Sequence, residues 1–275
     1  MRLSGGGPRP SYRERVKTSG PLDRSRELIA EAYAAFRRGD NESTRRAASE
    51  ALELARRAQD DRSLSVALTW LARAALRDGA SVMLRRLADD ALAAAQRTDD
   101  VATTIGPLHL IAASDRMAGD LDSARRGYAR TRELSRQAGD ARMALLETIN
   151  LAAVDLLARD VDTAGRHAKE ALREVADQPR IAAVCLSILG GVAVGNGDAE
   201  RGARLLGAAE GMIGRTATIF DPDDRAEHDA RLASAKAALG SSRYEAFAND
   251  GRSLTDEAAV ALALALLSAV AVGPV

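Results

Sequence analysis

The side chains that most often carry out catalysis are scarce in this chain and far apart. Its 275 residues include three histidines and one cysteine. His109, His167 and His228 lie too far from one another in the sequence for any pair to hold a metal ion on one helix. Cys185 lies in the apolar run 181–189, which predicts a buried, unreactive thiol. We therefore predict no catalytic, metal-binding or cofactor-binding residue, and no enzyme activity.

Arginine recurs with a more regular spacing. Adjacent arginines stand at 45–46, 85–86 and 125–126, and the net charge of the chain is zero. A row of this kind could form a basic stripe that binds nucleic-acid phosphates. However, several of these arginines precede a carboxylate by four residues, as Arg85 precedes Asp89, which favours a solvated, self-neutralised helix face. No aromatic residues interleave them as a single-strand binder would require, so nucleic-acid binding is the least favoured alternative.

Two aspartates, Asp115 and Asp155, stand 40 residues apart at matching positions. Matching positions predict matching environments, and an inward-facing carboxylate needs a partner. One interpretation is a polar ligand pocket. The interpretation we prefer is a salt bridge from each aspartate to an arginine of a neighbouring structural unit.

The elements that position these residues recur about every 40 residues. One set of turn signals is Gly39-Asp40, Asp78-Gly79-Ala80, Gly119-Asp120, Arg159-Asp160 and Gly197-Asp198. A second set, half a period away, is Asp60-Asp61, Asp99-Asp100, Gly139-Asp140 and Gln178-Pro179. Two interleaved turn signals at a fixed period predict stacked helical hairpins, and only 3% of the residues are aromatic.

Small residues mark where paired helices would touch. Eight residues before each first-set turn stand Ala32, Ala72, Ala112, Ala152 and Gly190. A small residue, a Gly-Asp turn and a small–large–small pattern together resemble the tetratricopeptide repeat (TPR), most closely in residues 108–128. The period near 40 exceeds the 34 residues of that repeat, which implies longer helices. The predicted fold is all-α: a right-handed α-solenoid of about five TPR-like helical hairpins with a C-terminal helical cap.

Three parts of the chain are predicted. Residues 1–22 are polar and form a disordered tail, residues 23–214 form the repeat array, and residues 215–275 form capping helices. The last predicted helix, 258–271, has Thr255 as its N-cap and is shorter than the roughly 20 residues of a membrane span. It would cover the open end of the array, or alternatively form a dimer contact. With no signal peptide, the protein is predicted to be cytoplasmic and not bound to a membrane.

The C-terminal stretch carries a second resemblance. Its segments are LLGAAEGM at 205–212, AALG at 237–240 and YEAFANDGRSLTDEAAVALAL at 244–264. This order resembles the C-terminal helical-repeat region of actinobacterial LuxR-type regulators and STAND signalling ATPases. The resemblance implies a bacterial protein linked to transcription regulation, either a stand-alone relative or part of such a regulator. No phosphate-loop motif occurs, so neither nucleotide binding nor DNA binding transfers to any residue.

The resemblance to TPR arrays also implies where a partner would bind. The first helix of each hairpin would line a concave groove, and arginine with aromatic residues is a mix typical of protein-binding surfaces. The predicted groove residues are Tyr33, Phe36, Arg37, Arg73, Arg77, His109 and Arg116. They suit an acidic protein or peptide segment, or a C-terminal carboxylate. The predicted function is a non-catalytic interaction module. The alternative is a domain that senses a small-molecule inducer.

Overall fold

A computed structural model describes residues 20–216 and 222–265. Within these ranges the chain forms thirteen α-helices, a short 3-10 helix at Val101–Thr104 and no strand. The helices are α1 (Pro21–Arg37), α2 (Asn41–Ala58), α3 (Asp61–Arg77), α4 (Ser81–Ala95), α5 (Ile105–Met117), α6 (Leu121–Gln137), α7 (Ala141–Leu157), α8 (Val161–Val175), α9 (Pro179–Gly195), α10 (Ala199–Thr216), α11 (Pro222–Leu239), α12 (Ser241–Arg252) and α13 (Asp256–Ala265). The all-α prediction is confirmed.

The first ten helices form five consecutive hairpins, α1/α2 to α9/α10. Each helix packs against the next one in the chain, and the first helices of several neighbouring hairpins also touch, as α1 touches α3 and α3 touches α5. This arrangement is the predicted α-solenoid with a C-terminal helical cap. Helix α1 begins at Pro21, so the last two residues of the predicted tail belong to it, while residues 1–19 lie outside the described ranges.

The recurring turn signals act by two local effects. The glycine, as at Gly39 and Gly119, adopts a positive φ of 79° and 80°, a conformation that other residues avoid because of their Cβ. The aspartate that follows caps the next helix: the Asp40 carboxylate accepts the Ser43 N–H at 3.0 Å. This bond holds the pKa of Asp40 below its ordinary value. Equivalent caps are formed by Asp60, Asp120, Asp140, Asp160 and Asp198.

The small residues of the repeat lie where the helices approach most closely. Ala32, Ala72, Ala112 and Ala152 are all fully buried. A Cβ at Gly190 would lie 2.7 Å from Leu206 Cγ, so the α9–α10 crossing accepts no larger residue there without movement. The helical interface thus requires small residues at the position where the sequence repeats them.

The terminal helices cover the end of the array. Ala259, Val260 and Ala263 of α13 are buried against the core of α7–α10. Thr255 Oγ1 accepts the Ala258 N–H at 3.2 Å, which confirms the predicted N-cap. Residues 266–271 of the predicted helix lie outside the described ranges. Helix α12 packs on α10, and α11 packs against α9, α10 and α12.

Candidate functional site

A cavity of about 970 Å³ lies along the first helices of the hairpins. Helices α1, α3, α5, α7 and α9 all contribute to its lining, with Tyr128 of α6 and with Asp224 and Arg231 of α11. Its apolar lining residues include Leu76, Leu146 and Ile149. We call this space the central cavity. It forms because the repeat turns the same face of each first helix inward.

Six of the seven predicted groove residues line the central cavity. They are Phe36, Arg37, Arg73, Arg77, His109 and Arg116. Tyr33 does not line it. The Tyr33 ring instead packs at 5.6 Å from the Trp70 ring and is 45% exposed beside the cavity. That these residues bind a partner remains a prediction.

Aromatic rings position two of the cavity arginines. The Arg77 guanidinium lies 3.5 Å from the centroid of the Phe36 ring and donates to the Phe36 carbonyl oxygen at 2.8 Å. The Arg73 guanidinium lies 5.5 Å from the Trp70 ring centroid. Because cation–π contacts restrict a long side chain, these guanidinium groups are partly pre-organised.

His109 is fixed by contacts inside the array. Its Nδ1 lies 3.0 Å from Oε1 of the buried Glu147, and its ring centroid lies 5.9 Å from that of Tyr128. The imidazole therefore presents one edge to Glu147 of α7 and fixes the relative position of α5 and α7 in the cavity wall.

The charge of the central cavity is strongly unbalanced. Its lining arginines are Arg37, Arg38, Arg73, Arg77, Arg116, Arg142, Arg180 and Arg231. Asp224 is the one carboxylate among the described lining residues. Arg37 and Arg142 are exposed, and neither forms an ion pair within the described part of the chain. Clustered like charges with few counter-charges attract anions.

Four of these arginines were not predicted from the sequence: Arg38, which follows α1, Arg231 of α11, and Arg142 and Arg180. Arg142 and Arg180 lie near the N-termini of α7 and α9, whereas the predicted groove residues of α1 and α3 lie in the C-terminal halves of those helices. Applying the inward period to the whole of each first helix could have found them.

Arg116 has partners within the chain. Its side chain is only 2% exposed and pairs with Glu227 at 2.6 Å and Asp224 at 3.0 Å, both on α11. Glu227 also pairs with Arg231 at 2.7 Å. The sequence predicted Arg116 as a contact for a partner segment. In the structure an acidic helix of the same chain contacts it.

A buried serine and histidine lie beside this ion-pair cluster. Ser187 Oγ is 2.8 Å from His228 Nδ1, and Arg231 donates to Ser187 Oγ at 3.1 Å. Burial, assisted by the Arg231 charge, lowers the pKa of His228 to about 4, so the imidazole is neutral at neutral pH. Such pairs can activate a nucleophile, but Ser187 is 1% exposed. The contact therefore joins α11 to α9.

The other candidate chemical groups are also engaged in packing. Burial raises the pKa of Cys185 to about 12, which confirms a buried thiol and makes it unreactive at neutral pH. No group of three or more metal-ligating side chains is found in residues 20–216 and 222–265. In the same ranges, no helix has both the length and the apolar character needed to cross a bilayer.

The regularly spaced arginines join successive hairpins. Arg85 pairs with Asp115 at 2.6 Å, and Arg125 pairs with Asp155 at 2.8 Å. Arg45 stands at the equivalent position of α2 but pairs with Asp78, the residue that follows α3. Each pair links the second helix of one hairpin to the first helix of the next hairpin or to the turn that follows it. The preferred interpretation of Asp115 and Asp155 as inter-repeat salt bridges is confirmed. In the proposed basic stripe, Arg45, Arg85 and Arg125 pair with carboxylates, whereas Arg46 and Arg126 donate to the hydroxyl groups of Ser43 and Ser123.

Comparison with known proteins supports the fold. The chain matches no protein-family model and no curated protein. In structure it is similar to a kinesin light chain-like protein of Podosopora anserina with nearly identical TPR-like repeats. That match has a TM-score of 0.53 at 14% identity and covers 73% of this chain and 99% of the other. It is also similar to BtubC (BKLC) from P. vanneervenii, with a TM-score of 0.52 at 20% identity, covering 91% of this chain and 94% of the other.

At these identities the likeness shows the fold alone. The predicted TPR-like helical repeat is confirmed. TPR-like folds are generally protein-interaction modules and typically non-catalytic scaffolds. These matches do not support the predicted relation to LuxR-type regulators.

Proposed function

We propose that this chain is a non-catalytic interaction module whose central cavity binds an acidic segment of a partner protein. The observation that carries the proposal is the charge of the cavity: eight arginines line it together with apolar side chains, and of these Arg116 and Arg231 pair with carboxylates of α11. Guanidinium groups form paired, charge-assisted hydrogen bonds with carboxylates. Apolar lining residues exclude water and strengthen those bonds.

The two exposed arginines provide the sharpest test. Arg37 of α1 and Arg142 of α7 both line the cavity, and neither has an ion pair to lose within the described residues. Replacing both with glutamate changes the charge of the cavity by four units, because two positive charges are lost and two negative charges are gained. No ion pair within the described residues is broken by these substitutions. The matched control is Arg57→Glu with Arg130→Glu, on exposed positions of α2 and α6 outside the cavity.

The experiment is a selection from a random peptide display library, followed by affinity measurement on purified protein. Peptides selected by the wild type are expected to be rich in Asp and Glu. They should bind the Arg37→Glu/Arg142→Glu variant at least tenfold more weakly, bind the control variant unchanged, and lose affinity as salt rises. Selected peptides with no acidic bias, or equal binding by both variants, would refute the proposal.

A second candidate function is sensing of a small anionic molecule. The volume of the central cavity, about 970 Å³, lies at the upper end of the range for small-molecule sites. A carboxylate- or phosphate-bearing inducer that binds only the folded state would raise the melting temperature. A thermal-shift screen of such compounds, with the Arg37→Glu/Arg142→Glu variant as control, tests this alternative. Nucleic-acid binding is not favoured because Arg45, Arg85 and Arg125 pair with carboxylates.

We also propose that the module is a cytoplasmic, bacterial relative of the helical-repeat region of transcription regulators. The support is the C-terminal sequence resemblance. Its LLGAAEGM segment has a clear packing role, since a Cβ at Gly207 or Gly211 would collide with backbone atoms of α12. The test is to determine whether the partner identified by its acidic segment acts on transcription.

A further inference from the structure

One helix of the structure already places two carboxylates on an arginine of the central cavity. Asp224 and Glu227 lie three residues apart on α11, and both carboxylates reach the Arg116 guanidinium. Residues three apart lie on the same helix face, which lets two carboxylates converge on one fork-shaped guanidinium. The rest of the polar contact with the array comes from His228 and Arg231, which both reach Ser187 Oγ of α9.

Helix α11 fills only part of the inner face. Asp224 and Arg231 of α11 line one part of the central cavity, and the rest of its lining comes mainly from α1, α3, α5, α7 and α9. An α-helix is about 10 Å across and rises 1.5 Å per residue, so about 970 Å³ corresponds to roughly two helical turns. The open space is therefore of a size that a second short helix would fill.

The surface around this open space is amphipathic. Leu76, Ile149 and Ile181 provide an apolar strip. Arg37 and Arg142, beside that strip, are exposed cations without ion pairs in the described ranges. A ligand that satisfies both features at once has an apolar face and an acidic edge, as an amphipathic helix does.

We infer that the partner segment occupies the central cavity as a short amphipathic α-helix, with two carboxylates three residues apart directed at the cavity arginines. The inference rests on the proposed function and specifies the ligand. The ligand is helical rather than extended, and its affinity depends on the spacing of its carboxylates rather than on its total charge. Helix α11 is the intramolecular example of this recognition.

Three display libraries test the inference. The first presents a constrained two-turn helix with carboxylates at positions i and i+3 and all other exposed positions randomised. The second has the carboxylates at i and i+2, which point to different faces of the helix. The third is an unconstrained linear library with the same composition and a central proline to prevent helix formation. Binding is measured by fluorescence anisotropy against the wild type, the Arg37→Glu/Arg142→Glu variant and the Arg57→Glu/Arg130→Glu control.

The best binders from the first library are expected to bind at least tenfold more tightly than those from the other two. Their affinity should be at least tenfold lower for the Arg37→Glu/Arg142→Glu variant and unchanged for the Arg57→Glu/Arg130→Glu control. Equal affinities from all three libraries would overturn the helical inference while leaving the acidic-segment function standing. Absence of acidic binders in every library would overturn both. Displacement of a selected helix by glutarate at matching affinity would assign the site to a small dicarboxylate and overturn the inference.

Discussion

The close contact between α10 and α12 leads to a stability prediction with an internal control. Helix α10 carries Gly207 in its middle and Gly214 near its end. A Cβ at Gly207 would lie 2.1 Å from the carbonyl oxygen of Ala248, whereas a Cβ at Gly214 would meet no atom within 4 Å. The same substitution, glycine to alanine, should therefore have opposite effects at two positions of one helix.

The expected magnitudes follow from these distances. At Gly214, alanine stabilises the helix by about 0.5 kcal/mol, because it reduces backbone freedom in the unfolded chain. At Gly207 the two helices must separate by more than about 1 Å, since both clashing groups are helix backbone and cannot rotate away. Overpacking of this kind costs about 3 kcal/mol. After a gain of about 0.5 kcal/mol from helix propensity, the net loss at Gly207 is about 2.5 kcal/mol.

Urea unfolding of the two variants measures the difference, and amide hydrogen exchange locates it. Neighbouring repeats can unfold separately, so the loss of stability in the Gly207→Ala variant should appear as faster amide exchange in α12 and in the adjoining face of α10. The Gly214→Ala variant should exchange like the wild type. Equal stability of the two variants would show that α10 and α12 do not approach as closely as described.

Three further predictions concern single side chains. Burial lowers the pKa of His228 from 6.5 to about 4. Between pH 6.5 and about pH 4, the imidazole is therefore protonated in the unfolded chain but not in the folded one. The free energy of unfolding should fall by about 3 kcal/mol as the pH drops through this range. His228→Asn should remove this part of the pH dependence of urea unfolding, and an unchanged slope would contradict it. Arg116→Met should cost roughly 3 kcal/mol and speed amide exchange in α11, because Asp224 and Glu227 lose a buried partner; slow exchange in α11 would argue against this role. Arg159 has a φ of 62°, which glycine adopts without strain, so Arg159→Gly should raise the free energy of unfolding by about 1 kcal/mol. Gly119→Ala should lower it by about 1 kcal/mol in the same urea assay, because φ is 80° there.

Much of the candidate site could be predicted from the repeat register alone. A repeat places equivalent residues at equivalent positions, so the inward face of the first helices followed from the spacing of the turns. Phe36, Arg37 and Arg77 line the cavity as that register implies. Tyr33 does not, because its ring packs on Trp70 at the edge of the array. That contact depends on the relative position of α1 and α3, which a register does not specify.

The sequence by itself determined where the helices begin and end and how they pair. N-caps, left-handed glycines and small residues at helix crossings act within a few residues or between neighbouring helices, so their effect can be seen in the order of residues. The tertiary structure alone decided which charges meet. Arg116 lies 111 residues before Glu227, and Arg85 reaches Asp115 of the next hairpin as well as Asp89 of its own helix. Such partners depend on how α11 and the hairpins pack in space, and many alternative carboxylates satisfy the same local pattern.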